Sequence, residues 1–392
     1  MVRKVRDCLK PYAEIFYMLY FLPLAGCVAL NISSSQLAYR VVFVISAIFL
    51  LMKLFVTDYS EKEIVLMIAF LSLLGYVFFR TSEKTLIITA MSIFGCKGVN
   101  VRQVLKYTFF VYIIGMGIMI SLVLLGKVEG EIHHPMKNGI IYNVNDFGYS
   151  QPNSAYNHLL MIVFMAVAIW EKKMLWYHYL MATVVMFIAY NVFKSRTGLL
   201  VYILLCAVLL VLFLIKQMMV KKVFCFFVSL LPLVIAISSY ALVALFSRDI
   251  MIINKLDNLV NGRIRLPSIA LTSVGLTWFG ANEKTWVEAI EKTWVGEYYL
   301  DNVYMNILIS CGIIVCIICV LSYFFMCYHY WKIESYYVLL LLGIMTIYMF
   351  MEYAPVNATW NPLLLFMVES IFRSTKDSKT GESSLALSSL IS

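Results

Sequence analysis

The sequence predicts an all-α integral membrane protein, on the basis of its apolar composition, its few charged residues and its recurring long apolar segments. Of the 392 residues, 62% are hydrophobic and 14% are charged, and the mean hydropathy is +0.86. An ordinary soluble domain is about 45–50% apolar and about 25% charged. The composition therefore excludes a soluble enzyme, a disordered protein and a nucleic-acid-binding protein.

Apolar segments of spanning length occur along almost the whole chain. A helix needs about 20 apolar residues to cross a bilayer. Hydropathy predicts about 12 transmembrane helices (11–12) in one polytopic domain, residues 1–372, followed by a polar cytoplasmic tail, 373–392. The candidate spans are residues 13–30, 37–56, 64–79, 85–96, 104–126, 155–170, 175–193, 198–215, 223–246, 303–325, 336–351 and 361–372.

The distribution of Lys and Arg predicts that both termini are cytoplasmic. In this orientation 18 Lys and Arg lie in inner segments and 7 in outer segments, not counting the 6 in the long segment 247–302, as the positive-inside rule requires. Two long extracytoplasmic loops, 127–154 and 247–302, then face outward. Most of the unusual polar residues lie on that side, so we expect the active surface there.

A short repeat occurs in the second long loop, where the residues Glu-Lys-Thr-Trp at 283–286 recur at 291–294. An offset of eight residues is close to two helical turns, so Trp286 and Trp294 would share one face of a helix. Trp favours the membrane interface, which predicts an amphipathic helix resting there. A local duplication without a role is the alternative.

Several catalytic motifs are absent. The chain has no nucleotide phosphate loop, no H-E-x-x-H zinc motif and no Asp-x-Asp clamp for a sugar nucleotide. Its nine Cys lack metal-ligand spacing, so we expect neither a metal nor a cofactor. An enzyme at the outer face would therefore need a substrate that arrives already activated. In a bilayer the natural candidate is a lipid-linked diphosphate.

Three outer arginines are candidate catalytic groups. Arg196 lies in a Ser-Arg-Thr-Gly turn, and Arg263 and Arg265 follow an Asn-Gly pair in the second long loop. The guanidinium fork binds phosphate oxygens in a bidentate manner and could stabilise a departing diphosphate. The alternative is that each arginine contacts lipid headgroups or pairs with a nearby acid.

Two outer carboxylates, Asp301 and Glu352, are candidates for acid or base catalysis. An inverting glycosyl transfer needs one carboxylate to deprotonate the attacking hydroxyl. A carboxylate near membrane depth is costly and therefore suggests a function. Asp301 has a structural alternative, because it could be the N-cap of the span that follows, and Glu352 could simply balance an arginine.

Amide, aromatic and imidazole side chains on the outer side are candidates for sugar recognition. Amides pair with sugar hydroxyls through a donor and an acceptor. The segment 143–153 is especially rich in them, although Asn, Gly and Pro are also ordinary turn formers. The candidate substrate-binding residues are Asp146, Tyr149, Asn153, His158, Asn261 and Asn302.

The ordered set of motifs resembles the Wzy-type polysaccharide polymerases, which build bacterial capsule, exopolysaccharide and O-antigen. The resemblance covers roughly residues 140–370. Each motif is weak alone, and the order and topology carry the likeness. The motifs are Phe-Gly-Tyr-Ser-Gln-Pro-Asn at 147–153, Ser-Arg-Thr-Gly at 195–198, Asn-Gly-Arg at 261–263, Leu-Asp-Asn at 300–302 and Asn-Pro at 361–362.

The resemblance implies a metal-independent, inverting glycosyltransferase in the bacterial cytoplasmic membrane. It would transfer a growing glycan from undecaprenyl diphosphate to a newly flipped lipid-linked repeat unit. Arg196, Arg263 and Arg265 match the family's arginines that handle the diphosphate. The implied partners are the undecaprenyl-diphosphate-linked oligosaccharide, membrane lipid, a flippase and a chain-length regulator, with no nucleic acid.

Two other functions remain open at this point. An O-antigen ligase would use a lipid acceptor, but related ligases tend to carry a His in the corresponding loop, and residues 247–302 contain none. A transporter or flippase of lipid-linked oligosaccharide should show polar residues inside its helices. The segments 64–79 and 198–215 contain no charge, which favours an enzyme at the surface.

Overall fold

The computed structural model describes residues 2–133, 136–137, 140–141, 143–171, 173–292 and 300–372. The α-helices are Val2–Leu9, Ala13–Ala29, Leu37–Val56, Glu61–Thr81, Thr85–Gly95, Val101–Leu124, Pro152–Trp170, Trp176–Phe193, Arg196–Leu214, Met218–Ser229, Leu231–Phe246, Met251–Leu259, Arg265–Val274, Glu283–Glu291, Val303–Lys332, Tyr336–Met351 and Met367–Ile371. Short 3-10 helices are Lys10–Tyr12, Ala354–Val356 and Pro362–Phe366. Two antiparallel ladders pair Ile132–His133 with Val144–Asn145 and Met136–Lys137 with Ile140–Ile141.

The described chain is mostly helical, and nine of its helical segments are long and apolar enough to cross a membrane. This confirms the predicted all-α class and is consistent with a multi-pass membrane protein. Three of the expected spans are shorter apolar helices, Thr85–Gly95, Tyr336–Met351 and Pro362–Ile371. The number of crossings and the side on which the termini lie therefore stay predictions. The tail 373–392 lies outside the described residues.

The expected last span, residues 361–372, is not a continuous α-helix. It consists of the 3-10 helix Pro362–Phe366 and a five-residue α-helix. Ten α-helical residues would reach about 15 Å, whereas the hydrocarbon core is about 30 Å thick. Leu363 and Leu365 are fully buried. The segment is apolar because it fills the interior of the helix bundle, so the prediction of a full span here is wrong.

Ion pairs sort the connecting segments into two sets that match the two faces expected from the charge count. Segments expected inside are joined by Arg6–Asp58, Lys10–Asp58, Lys97–Glu63, Arg102–Glu171 and Lys222–Glu334. Segments expected outside are joined by His133–Asp146, Arg263–Asp301, Arg263–Glu352 and Arg265–Asp257. No ion pair between described residues connects the sets. The loops thus separate into two faces, and which one faces outward remains predicted.

The second long loop forms helices and an apolar core of its own. Its helices Met251–Leu259, Arg265–Val274 and Glu283–Glu291 pack against the beginning of helix Val303–Lys332. Trp286 is only 5% exposed and lies in this core. The prediction that the repeat rests at the membrane interface is therefore wrong for Trp286, because its helix packs its apolar face against the loop. Trp294 lies outside the described residues.

The loop also enters the long helix Val303–Lys332, which is broken at Gly312. Residues 277–281 lie in the break and satisfy its backbone groups. The N–H of Ala281 donates to the carbonyl of Ile309 at 2.9 Å, and the N–H of Ile313 donates to the carbonyl of Thr277 at 2.9 Å. A helix interrupted in a membrane protein needs such replacement partners. This insertion fixes the loop, and the residues it carries, to the helix bundle.

Candidate active site

A tight turn after helix Met251–Leu259 positions Arg263. Asn261 and Gly262 both have a left-handed backbone, with φ of 54° and 79°, a conformation that Gly and Asn adopt most readily. Asp257 fixes the turn, because its Oδ1 accepts the backbone N–H groups of Ile264 and Arg265 at 3.0 and 2.9 Å. Asp257 is 2% exposed. A buried carboxylate thus sets the direction of the backbone from which Arg263 extends.

The guanidinium of Arg263 joins two carboxylates from different parts of the chain. Its Nη2 lies 3.0 Å from Oδ2 of Asp301 and 3.2 Å from Oε1 of Glu352. Its Nε donates to the carbonyl of Met351 at 2.6 Å, and its Nη1 donates to that of Val260 at 3.3 Å. The guanidinium therefore donates three hydrogen bonds, and its contact with Asp301 is an ion pair. The structure brings together three of the five predicted catalytic residues.

Burial raises the pKa of both carboxyl groups in this cluster. The pKa of Glu352 is raised to about 8 by burial and by the nearby Asp301, against the opposing effect of Arg263. The pKa of Asp301 is also raised by burial, and Arg263 again opposes the shift. Two carboxylates that share one cation do not ionise independently. Since the side chain of Glu352 is 12% exposed and that of Asp301 is 27% exposed, we assign the proton mainly to Glu352.

Asp301 is not the N-cap of the helix that follows it. Asn302 is the cap, and its Oδ1 accepts the N–H groups of Tyr304 and Met305 at 3.1 and 3.2 Å. The capping alternative for Asp301 is therefore wrong, which leaves its carboxylate available to Arg263. Asn302 is fully buried, and its Nδ2 has no hydrogen-bond partner among the described residues. Its capping role is structural, whereas the predicted contact with substrate is untested.

Arg265 lies on the far side of the same turn and is held by Asp257. Its Nε is 3.6 Å from Oδ2 of Asp257, and its side chain is 37% exposed. The charge of Asp257 is thus directed at Arg265, while Arg263 faces the other two carboxylates. The two arginines, which are two residues apart, have separate anionic partners.

Arg196 has a different setting. It is the first residue of helix Arg196–Leu214, after the N-cap Ser195. Gly198 lets the helix approach Tyr156 closely, because a Cβ at this position would lie 2.2 Å from that ring. The Arg196 side chain is exposed and forms no hydrogen bond or ion pair with any residue that the structure describes. Its guanidinium is therefore open to an anion at a helix N-terminus, where the helix dipole favours negative charge.

The candidate residues of the first long loop mainly fix that loop to the helices. Oδ1 of Asp146 accepts the backbone N–H groups of Glu131 and Gly148 at 3.0 and 2.9 Å. The hydroxyl of Tyr149, which is fully buried, donates to the carbonyl of Ala29 at 2.8 Å. Asn153 lies in the first turn of helix Pro152–Trp170 and is partly exposed. Of these residues only Asn153 offers a side chain toward solvent.

His158 is buried within the bundle. Its Nδ1 lies 2.9 Å from the carbonyl of Ser154, and its Nε2 lies 3.1 Å from the carbonyl of Val28. Its ring lies against Tyr149 with ring centroids 4.9 Å apart. Because both ring nitrogens face backbone carbonyls, the histidine joins two helices in this conformation and presents no free nitrogen to a substrate.

Among the residues that the structure describes, one group of side chains in the first long loop has metal-ligating chemistry. Ligand atoms of Glu131, His133 and Asp146 all lie within 4.8 Å of one another. Nε2 of His133 is 3.3 Å from Oδ2 of Asp146, so these two groups already pair. The sequence-based expectation of no metal stays a prediction.

A large apolar groove has a volume of about 1200 Å³. It lies between helices Glu61–Thr81 and Val303–Lys332, with Leu, Ile, Val, Phe and Ala predominating along it. Val303 lines one end, two residues after Asp301, and Lys332 lines the other. Thirty helical residues extend for about 45 Å, so the groove follows most of the bilayer thickness.

Comparison of the chain with protein-family models, with curated proteins and with solved structures finds no match. The resemblance to the polysaccharide polymerases therefore rests on the motifs and their order alone.

Sequence reasoning missed two residues that shape the cluster. Asp257 supports the turn, and its only signal was a carboxylate six residues before Arg263. Tyr348 lies one turn before Glu352, and its buried hydroxyl has no hydrogen-bond partner among the described residues. Tyr348 is one of 26 tyrosines in an apolar chain, and no feature of the sequence distinguishes it from the others.

Proposed function

We propose that this chain is a polysaccharide repeat-unit polymerase acting at the outer face of the bacterial cytoplasmic membrane. It would transfer a growing glycan from undecaprenyl diphosphate to an incoming lipid-linked repeat unit, with inversion at the anomeric carbon. The observation that carries the proposal is the cluster of Arg263 with Asp301 and Glu352. It supplies a cation and a carboxylate pair on the face where a lipid-linked sugar would lie.

In the proposed reaction a hydroxyl oxygen of the acceptor sugar attacks the anomeric carbon of the donor sugar. The bond from that carbon to the diphosphate oxygen breaks, and undecaprenyl diphosphate leaves with the bonding electrons. Asp301, the more exposed carboxylate, takes the hydroxyl proton. Glu352 stays protonated near neutral pH and keeps the pair from carrying two negative charges.

The arginines would act on the leaving group. Arg196 has an exposed guanidinium with no partner among the described residues, so it is free to bind a diphosphate bidentately. Arg263 is engaged by Asp301 and Glu352, and we expect one of its contacts to be exchanged for a phosphate oxygen when substrate binds. Such preorganised cations stabilise the charge that develops on the leaving group.

The apolar groove supports a lipid-linked substrate over a soluble one. Val303, two residues after Asp301, lines the groove, and most of the other lining side chains are apolar. A polyprenyl chain lying in it would bring the attached diphosphate to the outer end, near Asp301. A soluble nucleotide sugar would leave this surface unused.

Deletion of the protein tests the proposal. We expect the deleted cells to make single repeat units on the lipid carrier but no long chains. Chains of normal length on an altered anchor would instead favour the ligase. Repeat units held on the cytoplasmic side of the membrane would favour the transporter.

Two single substitutions test the assignment of the base. Asp301→Asn should abolish long polymer, because the amide cannot accept the proton. Glu352→Gln should keep part of the activity, because glutamine resembles the protonated carboxyl group. Chain length is read on a gel, and membrane protein level is measured in parallel. Full activity in Asp301→Asn would contradict the assignment.

A further inference from the structure

A second cavity lies at the opposite face of the bundle, among the segments expected inside. Its volume is about 440 Å³, and it lies between the start of helix Val101–Leu124 and the end of helix Pro152–Trp170. It is lined by Arg102, Gln103, Lys106, Tyr107, Ile169, Trp170, Glu171 and Lys173. Most of these side chains are charged or aromatic, unlike the lining of the groove beside the candidate active site.

The cavity carries an excess of positive charge. Arg102 is compensated, because its Nη2 lies 2.9 Å from Oε1 of Glu171. Lys106 and Lys173 are exposed, and their ammonium groups form no ion pair with any described residue. Three cations against one carboxylate leave a net charge of +2. The positive-inside rule explains their presence on this face, but it does not require them to line one cavity.

Glu171 gives a second, independent indication of a ligand. Its side chain is only 6% exposed. Oε1 accepts from Arg102, whereas Oε2 is buried and has no hydrogen-bond partner among the described residues. An unsatisfied buried carboxylate oxygen is costly. A ligand that carries a hydroxyl beside its anionic group would supply the missing donor.

The surface next to the cavity is suited to hydrocarbon chains. Tyr107, Phe110, Ile114 and Ile118 are all exposed, and their spacing of three and four residues places them on one face of the helix. This face continues from the cavity along the apolar helix. Trp170, at the cavity's edge, has the amphipathic ring typical of the membrane interface. A charged headgroup in the cavity would therefore have its chains beside this row.

We propose that this cavity binds the headgroup of an anionic phospholipid, with its phosphate between Lys106 and Lys173 and a headgroup hydroxyl near Glu171. Basic pockets between transmembrane helices recognise lipid phosphates in this way. The ligand is an anionic glycerophospholipid with hydroxyls on its headgroup. The inference does not depend on the proposed polymerase activity.

The test uses the full chain, purified in detergent and incubated with phosphatidylglycerol or with phosphatidylcholine, which has no net charge. Bound lipid is counted by native mass spectrometry. We expect the wild-type chain to retain phosphatidylglycerol in preference to phosphatidylcholine. The double variant Lys106→Gln/Lys173→Gln should bind phosphatidylglycerol about thirtyfold more weakly, since two lysine contacts with the anionic lipid are lost.

Two matched variants distinguish the loss of positive charge in the cavity from the same loss of charge elsewhere on the protein. Lys216→Gln/Lys221→Gln removes the same charge elsewhere on this face and should bind like wild type. Lys106→Arg/Lys173→Arg keeps the charge and should retain the lipid. Equal binding by the glutamine variant and its control would overturn the proposal. Displacement of the lipid by inorganic phosphate at comparable concentration would also overturn it, because the site would then recognise phosphate alone.

Discussion

Gly280 and Gly312 lie backbone against backbone where the second long loop enters helix Val303–Lys332. A Cβ on Gly312 would lie 2.4 Å from the backbone N of Gly280, and a Cβ on Gly280 would lie 2.1 Å from the carbonyl oxygen of Ser310. Real Cβ atoms do not approach backbone this closely. Both glycines also have positive φ, 81° and 87°. The attachment of the loop to the helix therefore requires glycine on both sides.

Gly312→Ala should separate the loop from the helix. The methyl group would collide with fixed backbone and would strain a left-handed residue, so we expect a loss of about 2–4 kcal/mol in the free energy of unfolding. Thermal melting of the purified protein measures it. Gly117→Ala is the control, because a Cβ there would meet no neighbouring atom within 4 Å and Ala favours a helix interior. Equal melting of Gly312→Ala and wild type would contradict the close packing.

Asp257→Ala should displace Arg263 indirectly, through the turn that carries it. The substitution leaves the N–H groups of Ile264 and Arg265 without their acceptor, and hydrogen bonds to a charged group contribute about 1.5–3 kcal/mol each. We expect a lower melting temperature together with shorter polymer. Glu288→Ala, at an exposed position of the same loop, should change neither. A variant that melts like wild type would show that the turn holds without Asp257.

The stability of the protein should depend on the protonation of Glu352. Its pKa is raised to about 8, so the folded state binds this proton more tightly than the unfolded state does. Its contribution to stability is then complete below about pH 4.5 and is lost as the pH rises through about 8. The melting temperature should fall between about pH 4.5 and pH 8. The fall should be smaller in Glu352→Gln, which cannot ionise.

The residual pH dependence in Glu352→Gln would come from Asp301, whose pKa shifts in the same direction. Glu129→Gln is the matched control, since it removes an exposed carboxylate from the first long loop. It should melt like wild type at every pH. If Glu352→Gln has the same pH dependence as wild type, the raised pKa of Glu352 is excluded.

The sequence predicted the class of fold because hydropathy is a local signal. Segments such as 37–56 and 303–325 are predominantly apolar, and both form helices. The same signal failed at 361–372, because an apolar run buried inside a bundle looks like a short span. It also failed at Trp286, since hydropathy does not show whether an apolar face packs against lipid or against the protein's own loop.

The candidate site was predicted in its residues more than in its geometry. Arg263, Asp301 and Glu352 stood out as charges beside apolar segments, yet their pairing joins positions about 40 to 90 residues apart. A single sequence carries no information on such long-range contacts. The sequence also did not show which residue caps the following helix, because Asp301 and its neighbour Asn302 suit an N-cap equally well.

The sidedness of the membrane can be tested with reporter fusions. Alkaline phosphatase fused after Lys137 or after Asn282 should be active, because both positions are expected outside. Fusion after Lys173 or after Lys221 should be inactive. The opposite pattern would place the arginine cluster in the cytoplasm, where the proposed lipid-linked substrate, already flipped, is not available.

Arg196 offers the sharpest test of the diphosphate role, because its guanidinium has no partner among the described residues. Arg196→Lys keeps the charge but loses the planar fork that binds two phosphate oxygens. If Arg196 stabilises the departing diphosphate, the rate of polymerisation should fall on the order of 10²-fold or more. Long polymer should then disappear while the protein level in the membrane is unchanged.

A simple headgroup contact at Arg196 would tolerate lysine, since a mobile ammonium serves equally well there. Arg80→Lys is the control: Arg80 is also exposed, near the end of another helix expected to finish outside. It should leave chain length unchanged. Normal chain length in Arg196→Lys would exclude a bidentate contact between Arg196 and the diphosphate, because lysine lacks the planar fork.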